Sequence, residues 1–127
     1  MKTTGKELAL FEDLTEFQLN NKLYDLHNDF TCFKIDFLND KLLFHFKNSE
    51  NTIMQILFYD VKLHNSNIDL IPTRDIDTID IIYRGRYEKN GILIDEDDNQ
   101  RVFIYCAFYG GKQFEFWSRG LEYQIAS

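Results

Sequence analysis

The sequence predicts an α+β domain, with one N-terminal helix packed on a mainly antiparallel, meander-like β-sheet of about seven to nine strands. Three observations lead there. Helical spacing is confined to the segment before Asn20, apolar residues recur with a period of two from Lys22 onward, and Asn39-Asp40, Asn90-Gly91 and Gly110-Gly111 interrupt that alternation where turns are needed. No repeat, linker or shift in composition divides residues 1–127, so the chain reads as a single domain.

Thr4-Gly5-Lys6-Glu7 has the form of a capping box, and Leu8, Phe11 and Leu14, with Leu10 and Phe17, follow at helical spacing. The pattern predicts a helix from about Lys6 to Phe17, its apolar stripe on the sheet and Glu12, Asp13 and Glu16 toward water. Asn20-Asn21 stops it. Leu23 to His27 reads as a short strand, Asn28-Asp29 as a turn, and Phe30 to Leu38 as a strand with Phe33, Ile35 and Phe37 inward. After Asn39-Asp40, Leu42, Phe44 and Phe46 alternate with Leu43, His45 and Lys47, and Asn48-Ser49-Glu50-Asn51 closes that strand. Ile53 to Leu63 reads as an internal strand, because Met54, Ile56 and Phe58 make its second side apolar as well. Pro72 and Thr73-Arg74-Asp75 exclude a central strand between Asn65 and Asp77, although Ile68 to Ile71 suits a sheet edge. From Thr78 on, Ile79, Ile81, Tyr83, Gly85 and Tyr87 face one way and Asp80, Ile82, Arg84, Arg86 and Glu88 the other. Lys89-Asn90-Gly91 is a turn that tolerates two positive φ values, and Ile92 to Ile94 leads into the acidic loop Asp95-Glu96-Asp97-Asp98-Asn99.

The closing runs Arg101 to Tyr109 and Lys112 to Ser118 flank Gly110-Gly111, a strong hairpin signal. A two-residue turn pairs Tyr109 with Lys112 and, further in, Ile104 with Trp117. One face then carries Phe103, Tyr105, Ala107, Phe114 and Phe116, and is expected to be core. The other mixes Ile104, Cys106, Phe108 and Trp117 with Gln113 and Glu115, as a half-covered face in mid-sheet would.

Twelve Phe, seven Tyr and one Trp make 16% of the chain aromatic, the usual filling of a β-rich interior of this size. The net charge of −7 repels phosphate backbones, so nucleic acid is not an expected partner, whereas a basic protein is. Cys32 and Cys106 sit in apolar runs without CxxC spacing and read as free thiols in a reducing compartment. No signal-peptide stretch or membrane span is evident, which makes cytoplasmic location the expectation.

Chemistry-bearing motifs are scarce. Asp95-x-Asp97-x-Asn99 copies the opening of a calcium loop, but Gln100 stands where Gly is needed and Cys106 where a bidentate Glu is needed. The loop is therefore either a solvated turn or, through Asp95, Glu96, Asp97 and Asp98, a contact surface for a basic partner. Asp75, Asp77 and Asp80 read as a charge network with Arg84 and Arg86. His27, His45 and His64 lack metal-site spacing, Ser118 and Cys106 lack a nucleophile elbow, and Gly110-Gly111 is no phosphate loop. No catalytic residue, cofactor or metal is predicted. Arg84, Arg86 and Tyr87, with Trp117, are residue types that dominate binding hot spots and are candidates for a shared contact face.

The run Ile53-Met-Gln-Ile-Leu-Phe-Tyr-Asp-Val-Lys-Leu63, together with Phe103-Ile-Tyr-Cys-Ala-Phe-Tyr-Gly-Gly-Lys-Gln-Phe-Glu-Phe-Trp-Ser118, resembles small acidic β-rich immunity proteins of bacterial toxin systems. The similarity covers about a third of the chain and rests on strand alternation around a turn. It implies a non-enzymatic protein that binds and blocks a cognate toxin, and it carries no site residues across. Two other functions remain open: a carrier of an apolar small molecule in an aromatic-lined β cavity, and an enzyme built on His45 or His64 with carboxylates in a cleft.

Overall fold

The computed structural model describes residues 2–4, 17–19, 21–66, 73–74, 78–97 and 99–126. Within them the chain forms fourteen β-strands and no helix. One antiparallel sheet has the order β1 (Lys2–Thr4), β14 (Gly120–Ala126), β6 (Ile53–Tyr59), β5 (Lys41–Lys47), β4 (Thr31–Leu38) and β8 (Thr73–Arg74). A second has the order β7 (Lys62–Ser66), β13 (Gln113–Ser118), β12 (Val102–Phe108) and β9 (Ile79–Gly85). β2 (Phe17–Leu19) with β3 (Lys22–Tyr24), and β10 (Tyr87–Lys89) with β11 (Ile92–Ile94), are separate two-stranded ribbons.

The α+β expectation is thus corrected to an all-β fold. Residues 6–16 of the expected helix lie outside the described residues, and its last residue, Phe17, is paired with Tyr24 across the β2–β3 ribbon. The physical reason lies in what covers the apolar sheet face. Phe44 and Phe58 of the six-stranded sheet meet Phe108, Phe114 and Phe116 of the four-stranded one, at centroid separations of 6.4, 5.9 and 4.9 Å for Phe44–Phe108, Phe44–Phe114 and Phe58–Phe116. The second sheet occupies the place expected for a helix. Leu42, Phe44 and Phe46 on β5 and Met54, Ile56 and Phe58 on β6 are fully buried, following the alternation read from the sequence. These rings fill the space between the sheets, where a carrier of an apolar molecule would need its cavity.

The closing hairpin forms in mid-sheet as expected, but one residue out of the expected register. Ala107 pairs with Gln113, Cys106 with Phe114, Ile104 with Phe116 and Phe103 with Trp117. Gly111 alone of the two turn glycines takes a positive φ, 92°, and Phe108 N–H donates to the Lys112 carbonyl, so a wider loop replaces the two-residue turn. Because side chains alternate, a slip of one residue exchanges faces on one strand. Val102, Ile104, Cys106 and Phe108 therefore point into the core beside Phe114 and Phe116, while Phe103, Tyr105, Ala107 and Trp117 form the outer face.

Two bulges correct further face assignments. On β4 the register shifts between Cys32 and Lys34, which turns Cys32 and Ile35 inward and leaves Phe33 outside, under the Lys47 ammonium at 5.2 Å. On β9 the pairing shifts opposite Ala107 and Phe108, so Ile79 and Ile82 are both buried.

The two sheets are joined at a corner. β6 runs into β7 through Asp60-Val61, and β13 runs into β14 through Arg119, the two crossings lying side by side with Tyr59 opposite Gly120 and Lys62 opposite Trp117. Asp60 takes a φ of 54°, and the buried Ser118 hydroxyl lies 2.9 Å from both the Tyr59 and the Gly120 carbonyls.

Candidate functional site

The outer face of the four-stranded sheet carries an aromatic group assembled from three strands and the β10–β11 ribbon. Phe103 and Trp117, neighbours across β12 and β13, stand 5.0 Å apart and are each 6% exposed. A bulge on β7 pairs Glu115 with Asn65 and Phe116 with Leu63, so His64 is the extra residue and turns outward. Its ring lies 4.7 Å from Tyr87 and 5.6 Å from Phe103. The strand β9 breaks at Arg86, which swings β10 over the face and sets Tyr87 5.8 Å from Trp117. Asn90 and Gly91 close the ribbon with φ of 54° and 78°, as their sequence required.

A cleft of about 440 Å³ opens between this ribbon, the acidic loop and the sheet; Lys62, His64, Tyr87, Lys89, Glu96 and Trp117 are among its walls, with Ile94, Asp97, Asn99 and Arg101. Its base is fixed by charge. Arg101 donates through Nε to the Asp60 carbonyl (2.8 Å), through Nη2 to Asp60 Oδ1 (2.9 Å) and through Nη1 to Asp97 Oδ2 (3.2 Å). Arg119 Nε lies 3.0 Å from Asp60 Oδ2. Asp97 Oδ1 accepts the backbone N–H groups of Asn99 and Arg101 at 2.9 and 2.8 Å. Burial pushes the Asp97 carboxyl up, but the Arg101 backbone and guanidinium donors and the Asn99 N–H outweigh it and hold the group below its ordinary value.

These contacts settle where the sequence candidates stand. Tyr87 and Trp117 come together at the cleft, and Glu96 and Asp97 line it. Asp97 is a closing residue of its own loop, and Asp95 is exposed in an ion pair with Arg86 at 3.0 Å. Arg84 pairs with Ile104, a core position, and so belongs to the row opposite that of Phe103 and Trp117. Asp98, Asp75 and Asp77 lie outside the described residues.

Sequence reasoning named His64 only as one of two histidines for a cleft with carboxylates, missed Lys62, Lys89 and Ile94 as cleft residues, and assigned Phe103 to the core face of the hairpin. Of the other histidines, His27 Nδ1–H donates to the Ile79 carbonyl (2.8 Å) and its Nε2 accepts from the Tyr109 hydroxyl (3.0 Å). His45 Nε2–H donates to Asp36 (2.9 Å) while its Nδ1 accepts from Gln55 (3.2 Å), a ladder across β4, β5 and β6. His64, Glu96 and Asp97 share the cleft, the constellation that an enzymatic reading needs. Yet Asp97 is occupied by Arg101 and Asn99, and no hydrogen bond among the described residues joins His64 to Glu96.

The site is therefore an aromatic cleft beneath an apolar-tipped ribbon on one face of a two-sheet β fold. Comparisons with protein-family models, curated proteins and solved structures returned no match. Among the described residues no helix is long and apolar enough to cross a membrane.

Proposed function

We propose that this chain is a non-enzymatic protein-binding module, an inhibitor or immunity protein that neutralises a basic protein partner. The β10–β11 ribbon carries the reading: its tip presents Ile92 and Leu93 at 65% and 59% exposure. Adjacent strand residues point to opposite faces, so two exposed apolar neighbours require a ribbon with water on both sides. Tyr87 holds its foot against Phe103 and Trp117, so the tip is offered on a fixed base. Exposed Glu88, Lys89, Asp95 and Arg86 rim it, an apolar centre with a charged margin. The net charge of −7 supports encounter with a positive surface, by a mechanism that salt weakens. Buried reduced Cys32 and Cys106 support a cytoplasmic setting.

Co-purification with the products of the genes flanking its own tests the proposal. A basic partner is expected in a complex that Ile92→Ser combined with Leu93→Ser weakens about ten-fold or more, with the thermal midpoint of the isolated chain unchanged. An unchanged affinity would move the contact off the ribbon. No complex with any flanking product would remove the toxin–immunity reading.

A further inference from the structure

We propose that the cleft under the β10–β11 ribbon binds a small planar aromatic anion. The site lies beneath the ribbon tip and shares Lys89 with its charged rim, but it does not depend on the protein-binding reading. Its volume, about 440 Å³, falls within the roughly 300–1,000 Å³ of small-molecule sites. Trp117, Tyr87 and His64 give it ring walls, and rings of this kind stack on or edge against a planar ligand.

Its charge runs against that of the molecule. Among the described lining residues Asp97 is matched by Arg101, which leaves the Lys62 and Lys89 ammonium groups against the Glu96 carboxylate. Neither lysine has a salt-bridge partner among the described residues. A local cationic surplus in a chain of net charge −7 selects an anionic group at the mouth. Arg101, with its side chain 16% exposed, uses one N–H at each of Nε, Nη1 and Nη2. The second N–H on each terminal nitrogen has no acceptor among the described residues, and a mostly buried donor of that kind favours an anionic oxygen.

Trp117 is the one tryptophan of the chain, so its fluorescence reads the cleft directly. Titration of the full chain with adenosine monophosphate, phenyl phosphate and 2-naphthalenesulfonate is expected to change the emission saturably. Adenosine without phosphate and inorganic phosphate without a ring are expected to bind at least about ten-fold more weakly, since each lacks one of the two contacts. Lys62→Ala with Lys89→Ala, both at exposed positions, is expected to reduce the preference for the anion, leaving the Arg101 contribution, while the ring contact remains. His64→Ala is expected to weaken all three ring probes alike. Ile92→Ser with Leu93→Ser leaves probe binding unchanged, which separates this site from partner docking. The proposal is overturned if none of the three aromatic anions saturates, if the double lysine variant binds them as tightly as the parent, or if the Trp117 indole N–H resonance does not shift on binding.

Discussion

Asp97 shows how much one side chain decides. In the sequence it is one of four neighbouring acids on a loop, open to calcium or to a basic partner. In the structure its two oxygens receive two backbone N–H groups and one guanidinium. That guanidinium is itself held by Asp60, 41 positions away in sequence, so no local reading could find the cluster. The folded carboxyl is held below the ordinary value of 3.8. A group whose folded pKa is depressed adds stability that is fully present above the unfolded value and is lost as pH falls through the folded one. Stability should therefore decline on acidification below about pH 5. Asp97→Asn should cost about 1–2 kcal/mol at neutral pH and give a shallower acid limb, checked by urea titrations at several pH values. An acid limb identical in the variant would show that Asp97 does not titrate with folding. The thiols make a second test at this scale. Burial pushes Cys32 up to about 12 and raises Cys106 further, with Cys32 adding to the shift of Cys106. Neither should react with an aromatic disulfide reagent until the protein unfolds, so the reaction rate in denaturant should follow the unfolded fraction.

At the scale of elements, turns and bulges are where sequence and structure part. Both registers of the closing hairpin place aromatic residues on each face, because Phe103, Tyr105, Phe108 and Trp117 leave neither side polar. Alternation therefore could not choose between them, and the loop conformation at Gly111 did. The extra residues on β4, β7 and β9 likewise leave no mark in periodicity, yet they decide that Phe33 and His64 face outward. The Asn90-Gly91 turn, by contrast, was legible because only a few residue types accept two consecutive positive φ values. A methyl group added at Gly91 would meet open space, so Gly91→Ala carries only the backbone cost of its φ of 78°, about 1 kcal/mol. Since, among the described residues, the two strands of the ribbon pair with no third strand, that cost should appear as faster amide exchange in β10 and β11, about five-fold, with little change elsewhere. Equal acceleration across the four-stranded sheet would mean that the ribbon is not a separate unit.

For the whole molecule, the decisive feature is that two sheets cover each other. Phe44 sits at the centre of that contact, against Phe46, Phe58, Phe108 and Phe114. Phe44→Ala should lower global stability by about 3–5 kcal/mol, seen as a lower urea midpoint with a similar slope. A cost below about 1 kcal/mol would indicate that the sheets do not share one tightly packed core. Asp60, Arg101 and Arg119 pin the corner where strands pass between sheets, and Arg101 of that cluster also lines the cleft. Fold and site are coupled there, so charge reversal at Asp60 should disturb both stability and probe binding.

Composition and alternation alone determined the β-rich core, the inward face of β5, the internal place of β6 and of the closing hairpin, and the acidic character of the surface, since burial of alternate apolar residues is a local property of extended chain. Only tertiary structure decided that a second sheet, not a helix, closes the core, which face of the hairpin lies inside, and that Lys62, His64, Tyr87 and Trp117 meet around one cleft. Those outcomes depend on register, on bulges and on contacts between distant positions, where one-residue shifts and long-range pairing leave the local pattern unchanged.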